Sequence, residues 1–213
     1  MSFVELLAAE RALAVIRARD TRTAAEAMEA AVHGGYRILE FTMNTPGSLE
    51  LIETFARRDG LTVGAGTVLD VDQAEAAVAC GARFLVSPVT DTTVLAAASR
   101  LGVPMLPGAA TPTEMWRAHR AGAQTIKLYP APAGGPAWVR VVRGPMPFLR
   151  IVPTQGVDAD NAVAWLDAGC LALGSGAYVF PPEALAARAW DEVELRARKL
   201  LGAIRSWGGT AGS

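Results

Sequence analysis

The sequence has little lysine, histidine or cysteine. Of its 20 Lys and Arg residues only Lys127 and Lys199 are lysines, so arginine supplies nearly all of the surface cation. The two histidines, His33 and His119, lie far apart on helical patterns, and the two cysteines, Cys80 and Cys170, have no partner at metal-ligand spacing. A dedicated zinc site gathers three or four such ligands, so no resident metal is expected. Two isolated cysteines beside small residues suit reduced, packed thiols in a cytosol better than a disulfide framework. No apolar run reaches the about 18 residues of a membrane span, and the first residues carry no cationic stretch followed by an apolar one. A net charge of -1 with a pI near 6.1 gives no electrostatic reason to expect nucleic acid or an anionic membrane. The expectation is a cytoplasmic protein with neither of those partners.

What the chain does have is apolar residues, 51% against 19% charged, over 213 residues. That is enough for one sizeable core, and α/β barrels run about 200–250 residues as a single domain. A loose repeat runs through the sequence: an Ala-rich helical stretch, a small-residue turn, then an apolar strand. The turns are Gly34-Gly35, Cys80-Gly81, Leu101-Gly102, Ala121-Gly122 and Ala168-Gly169, each placing a glycine where a helix C-cap needs a left-handed backbone. Strands are predicted at Leu13–Arg17, Arg37–Thr42, Thr62–Thr67, Phe84–Ser87, Pro104–Pro107, Thr125–Tyr129, Leu149–Thr154 and Leu171–Gly174. Helices are predicted at Thr23–Val32, Pro46–Arg57 with Thr45 as cap, Val71–Ala79, a stretch opened by Thr90 or Asp91 and running to Ser99, Met115–Arg120 behind a Thr111/Glu114 capping box, Asp158–Asp167 and Pro181–Gly208. Residues 209–213 are expected to fray. Eight near-continuous apolar strands alternating with helices indicate a parallel sheet covered on both faces. Eight such units close into a (β/α)8 TIM barrel, here one domain over residues 1–213. An open doubly wound sheet would carry a glycine-rich turn after the first strand, where this chain has Arg17-Ala18-Arg19-Asp20.

Chemistry in such a barrel sits at the C-terminal strand ends. The sixth strand carries Lys127 between Ile126 and Leu128. A buried ammonium is costly, and a desolvated lysine can lose its proton and attack a carbonyl, which arginine cannot do. The alternative is a lysine whose head snorkels past the strand end. Glu40, between Leu39 and Phe41 on the second strand, is likewise an ionisable group in an apolar run. Burial raises a carboxyl into the range of a general acid–base; the other reading is a salt bridge to Lys127 or Arg17. Arg17, Thr67, Ser87-Pro88, Gly108 and Thr154 close other strands, and Gly174-Ser175-Gly176 before a helical segment offers a phosphate cradle.

These residues lie in Leu39-Glu40-Phe41-Thr42, Val63-Gly64-Ala65-Gly66-Thr67-Val68-Leu69, Ser87-Pro88, Pro107-Gly108, Ile126-Lys127-Leu128-Tyr129-Pro130-Ala131 and Pro153-Thr154-Gln155-Gly156-Val157. In that order, over about residues 10–180, the chain closely resembles the 2-keto-3-deoxy-6-phosphogluconate (KDPG) / 4-hydroxy-2-oxoglutarate (KHG) aldolase family. The resemblance implies a class I aldolase on a (β/α)8 barrel, usually a homotrimer, cleaving a 2-keto-3-deoxy sugar acid phosphate to pyruvate and glyceraldehyde 3-phosphate without a cofactor. It implies Lys127 as Schiff-base lysine, Glu40 as proton-transfer residue, Thr67 near the pyruvate carboxylate and Ser175 as a phosphate ligand, with Pro88, Thr154 and Gly156 lining the substrate. Two positions depart from the family. Asn44 stands where many members have a carboxylate-holding arginine, which leaves Arg17 for that role, as in the branch acting on 2-keto-3-deoxy-6-phosphogalactonate. Gln155-Gly156 stands where two glycines are usual, a side chain that crowds the phosphate. Two other classes compete: a phosphate-binding barrel isomerase or epimerase, working through paired carboxylates or cysteines, and a non-catalytic ligand-binding barrel.

Overall fold

The structure is a computed structural model and describes residues 1–209, so the fraying expected at the C-terminus falls, beyond Gly209, outside the described residues. Nine short strands and ten helices alternate through them. Strands β1 (Ala12–Ile16), β2 (Ile38–Thr42), β3 (Thr62–Gly66), β4 (Leu85–Val86), β5 (Met105–Leu106) and β9 (Leu173–Ser175) form one sheet in the order β5-β4-β3-β2-β1-β9. Strands β6 (Gly108–Ala109), β7 (Ile126–Leu128) and β8 (Ile151–Pro153) form the other, and every pair is parallel. The architecture is an α/β fold with a curled parallel sheet in two parts. One division has a local cause. Pro107 has no N–H to give, so the predicted fifth strand is interrupted there, while its carbonyl still accepts the Lys127 N–H at 2.9 Å.

Alternation along the strands sorts side chains into two apolar layers. Ala14, Ile16, Leu39, Phe41, Val63, Ala65, Ile126 and Leu128 pack outward against the helices. Leu13, Ile38, Phe84, Val86, Leu106 and Val152 pack inward. Helix α1 (Phe3–Glu10), which is not among the predicted helices, plugs this inner layer from the N-terminal side. Leu7 is buried in it, and Phe3 stacks on Phe84 with ring centroids 4.6 Å apart. An apolar floor therefore lies beneath the C-terminal strand ends.

Half of the ten helices start on a side-chain cap. Asp20, Asp70 and Asp91 accept N–H bonds at the starts of α2 (Thr21–His33), α4 (Val71–Ala79) and α5 (Thr92–Arg100). The predicted Thr111/Glu114 box opens α6 (Pro112–Arg120). The expected C-cap glycines Gly35, Gly81, Gly102, Gly122 and Gly169 all have positive φ. Four expectations are corrected. Helix α7 (Gly135–Arg143) follows β7, although its Gly, Pro and three valines disguise it. Helix α8 (Ala162–Asp167) starts later than expected, because Asp158 and Asn161 spend their side chains on the preceding turn. The C-terminal helix is two, α9 (Pro182–Ala187) and α10 (Trp190–Ser206), broken at Arg188 with φ 53. Helix α3 (Ser48–Ala56) is capped by Gly47, not by Thr45.

Candidate active site

The second and seventh strands bring the two ionisable groups together. Glu40 pairs in register with Val15 on one side and Gly64 on the other, and Lys127 pairs with Gly108 and Val152. Ile38 and Glu40 share one face of β2, so the carboxyl stands just above the inner apolar layer. Glu40 is 0% exposed and Lys127 7%. The Lys127 Nζ lies 3.6 Å from Glu40 Oε1, which is ion-pair contact but beyond a hydrogen bond. Among the described residues neither carboxyl oxygen has a hydrogen-bond partner. A buried structural ion pair survives by satisfying its remaining lone pairs, and this one does not. Burial pushes the Glu40 carboxyl above the ordinary range, against the opposing pull of Lys127 and, more weakly, Arg17. The Lys127 ammonium position also lies 5.6 Å from the Tyr129 ring centroid.

Glycines make the room. A Cβ on Gly66 would lie 2.0 Å from Glu40 Oε1, so only glycine at that position of β3 admits the carboxyl. A Cβ on Gly108 would lie 2.1 Å from the Pro88 carbonyl, so the β4 and β6 ends approach closely only because Gly108 is bare. Thr67 ends β3 with φ 57, a left-handed backbone that a β-branched residue rarely adopts. Such strain persists where surrounding structure holds it, and it gathers at functional sites. Thr154 follows β8 with a buried hydroxyl that has no partner among the described residues, and its methyl occupies the space Gly174 leaves free, where a Cβ would lie 2.4 Å away. Arg17 is exposed just past β1, and among the described residues it has no carboxylate within ion-pair distance.

The remaining expected residues are placed differently. Ser175 is buried and in register with Ala14, whose side chain belongs to the outer layer. Burial suppresses ionisation of the Tyr36 phenol, and among the described residues neither that phenol nor the Ser175 hydroxyl has a hydrogen-bond partner. The Ser175 side chain thus points to the helices, away from the inner face that carries Glu40 and Lys127, and only the main chain of Ser175-Gly176 is left at the rim. Gly156 is exposed with φ 68, a conformation that calls for glycine. Its neighbour Gln155 does not fill the mouth: its Oε1 accepts the Ala131 N–H at 3.1 Å and so ties the loop after β8 to the loop after β7. Two polar residues escaped the sequence reading, Thr42 and Thr45, both 2% exposed beyond Glu40. Thr42 was visible as the inward residue two positions after Glu40, whereas Thr45 looked like a helix cap. Two surface clefts, one between α1 and α10 and one between α2 and α10, contain neither Lys127 nor Glu40. Among the described residues no group of His, Cys, Asp or Glu is placed to hold a metal ion.

Comparison with known proteins agrees with this geometry. The KDPG and KHG aldolase family matches residues 4–195. A 2-dehydro-3-deoxy-phosphogluconate aldolase of Pseudomonas aeruginosa is 35% identical over 191 residues, covering 89% of this chain and 86% of that one. A 2-dehydro-3-deoxy-6-phosphogalactonate aldolase of Escherichia coli is 29% identical over 198 residues, covering 92% of this chain and 93% of that one. The KDPG aldolase of Legionella pneumophila, solved with pyruvate captured as a covalent carbinolamine, superposes with a TM-score of 0.82 at 28% identity, covering 92% and 97% of the two chains. With a lysine and a glutamate buried together on the inner face of the strands and a match over nearly its whole length, this chain belongs to the KDPG and KHG aldolase family.

Proposed function

We propose that the chain is a class I aldolase that cleaves a 2-keto-3-deoxy-6-phospho sugar acid to pyruvate and glyceraldehyde 3-phosphate, and/or 4-hydroxy-2-oxoglutarate to pyruvate and glyoxylate. The observation that carries this reading is the contact of Lys127 with a buried, otherwise unpartnered Glu40. The neutral Lys127 amine attacks the keto carbon and gives a carbinolamine. Loss of water leaves an iminium, which withdraws electrons from C3. Glu40, whose carboxyl has no competing partner, takes the C4 hydroxyl proton as the C3–C4 bond breaks. The aldehyde leaves, the enamine is protonated at C3, and water releases pyruvate and restores the amine. Arg17, an unpaired cation at the mouth, receives the substrate carboxylate beside Thr67 and Pro88, because a guanidinium grips a carboxylate in two places where Asn44 cannot. Thr154 turns its free hydroxyl to the substrate chain. Main-chain N–H groups about Gly156 and Gly176 receive the phosphate, with the Ser175 hydroxyl left on the Tyr36 side.

The same reading includes a closed barrel and one domain over the chain. The Leu171 N–H, donating to Ile151 O at 2.9 Å, supports closure between β8 and β9, as does the single residue Pro107 between β5 and β6. It also includes a homotrimer, supported by an exposed aromatic cluster of Trp116, His119 and Phe148 and by exposed Val141. A cytoplasmic location accords with two free cysteines, and among the described residues no helix is long and apolar enough to cross a membrane. Pyruvate release from the gluconate and galactonate forms of the phospho sugar acid and from 4-hydroxy-2-oxoglutarate tests the proposal. Activity on at least one of them, lost in Lys127→Met, is expected; no release from any overturns it.

A further inference from the structure

Thr45 stands in the loop between β2 and α3, where its sequence context marks it as a helix cap. It is not one, since α3 starts at Ser48 and Gly47 occupies the cap position. The Thr45 hydroxyl turns inward instead. It accepts the Ala18 N–H at 3.2 Å and lies 3.1 Å from the Thr42 hydroxyl, with both threonines buried. Thr42 lies on β2 two residues beyond Glu40 and so faces the same way. Ala18 directly follows Arg17. A short chain of hydrogen bonds therefore runs from the strand that carries Glu40 to the main chain that carries Arg17. A second bond joins the same two loops: the Thr21 hydroxyl donates to the Pro46 carbonyl at 2.8 Å. Gly47 permits it, since a Cβ there would lie 2.3 Å from Thr21 Oγ1.

We infer that Thr45 is a positioning residue, whose hydroxyl holds the Arg17 main chain in fixed relation to the Glu40 strand and keeps the guanidinium aimed at the substrate carboxylate. The inference rests on the proposed carboxylate role of Arg17. That side chain is long, exposed and without an ion-pair partner among the described residues, so its aim is set by where its backbone is pinned. Ala18 N–H is the pinned group, and Thr45 supplies its acceptor.

Steady-state cleavage of 4-hydroxy-2-oxoglutarate by Thr45→Val, Thr45→Ser, Arg17→Lys and the double variant Arg17→Lys/Thr45→Val tests this. Valine keeps the shape of threonine without the hydroxyl; serine keeps the hydroxyl. Thr45→Val is expected to raise KM about five- to tenfold, the worth of one hydrogen bond. Its kcat should stay within about twofold, because aim and not chemistry is lost. Thr45→Ser should restore KM, and Thr45→Val should add nothing further in the Arg17→Lys background, where the aimed group is already compromised. A loss of kcat at unchanged KM, or equal KM effects of Thr45→Val in both backgrounds, overturns the positioning role while leaving Arg17 in place. An Arg17→Lys variant with unchanged KM removes the carboxylate role of Arg17 and the inference with it. Neither result touches the aldolase reading, which stands or falls with Lys127.

Discussion

At the scale of single residues the site depends on Glu40. Its carboxyl is buried, without a hydrogen bond among the described residues, and raised above the ordinary range by desolvation. A raised acid binds its proton more tightly in the folded chain than in the unfolded one. Stability is therefore unreduced below the unfolded glutamate value of about 4.3 and declines as pH rises through the higher folded value. Glu40→Gln removes that decline. Thermal unfolding of the variant should match the parent in acid and occur at higher temperature at neutral pH, and a variant less stable than the parent at neutral pH would contradict the account. The same substitution removes the proton acceptor, so kcat should fall on the order of 100- to 10,000-fold while pyruvate is still captured. A gain in stability with a loss of turnover is the signature of a group kept for chemistry against its solvation cost.

At the scale of elements the site is a matter of spacing between strands. Gly66 on β3 faces the Glu40 carboxyl on β2 so closely that a methyl there would overlap Oε1. Gly66→Ala should displace the carboxyl by an ångström or more, and a misplacement of ~1 Å costs on the order of 100-fold. Its kcat should drop by about that factor with Lys127 still open to pyruvate, and turnover near that of the parent would show that Glu40 has room the structure does not give it. Strand-level features were the legible part of the sequence. Lys127 and Glu40 stood out because each is an ionisable group inside an apolar run, and the C-cap glycines marked the helix ends. What escaped was tertiary. Nothing local says that Thr45 turns from the α3 terminus to Ala18, since the acceptor lies 27 residues from its donor. Ser175 looked like a phosphate ligand from its two glycines, and strand parity puts its side chain on the outer face, where its hydroxyl has no hydrogen-bond partner among the described residues. Gln155 looked like an obstruction, and its bond to Ala131 draws it across the loops instead. Helix α7 was hidden because its burial against the sheet outweighs poor helix formers.

At the scale of the whole molecule, helix α1 seals one end of the strands with Phe3 and Leu7, and the other end opens on the only lysine of the chain that lies in a strand. The chain carries just one other, Lys199 on α10, so amine chemistry on the intact protein has two side-chain targets in very different settings. Lys127 is expected to form an iminium with pyruvate. Borohydride reduces an iminium irreversibly, so intact mass measurement after treatment with pyruvate and borohydride should show one reduced pyruvate adduct per chain. Peptide mapping should place it on Lys127, Lys127→Met should abolish both adduct and activity, and a chelator should leave turnover unchanged. Adduct confined to Lys199, or no adduct in a protein that cleaves its substrate only with an added divalent metal, would contradict the account.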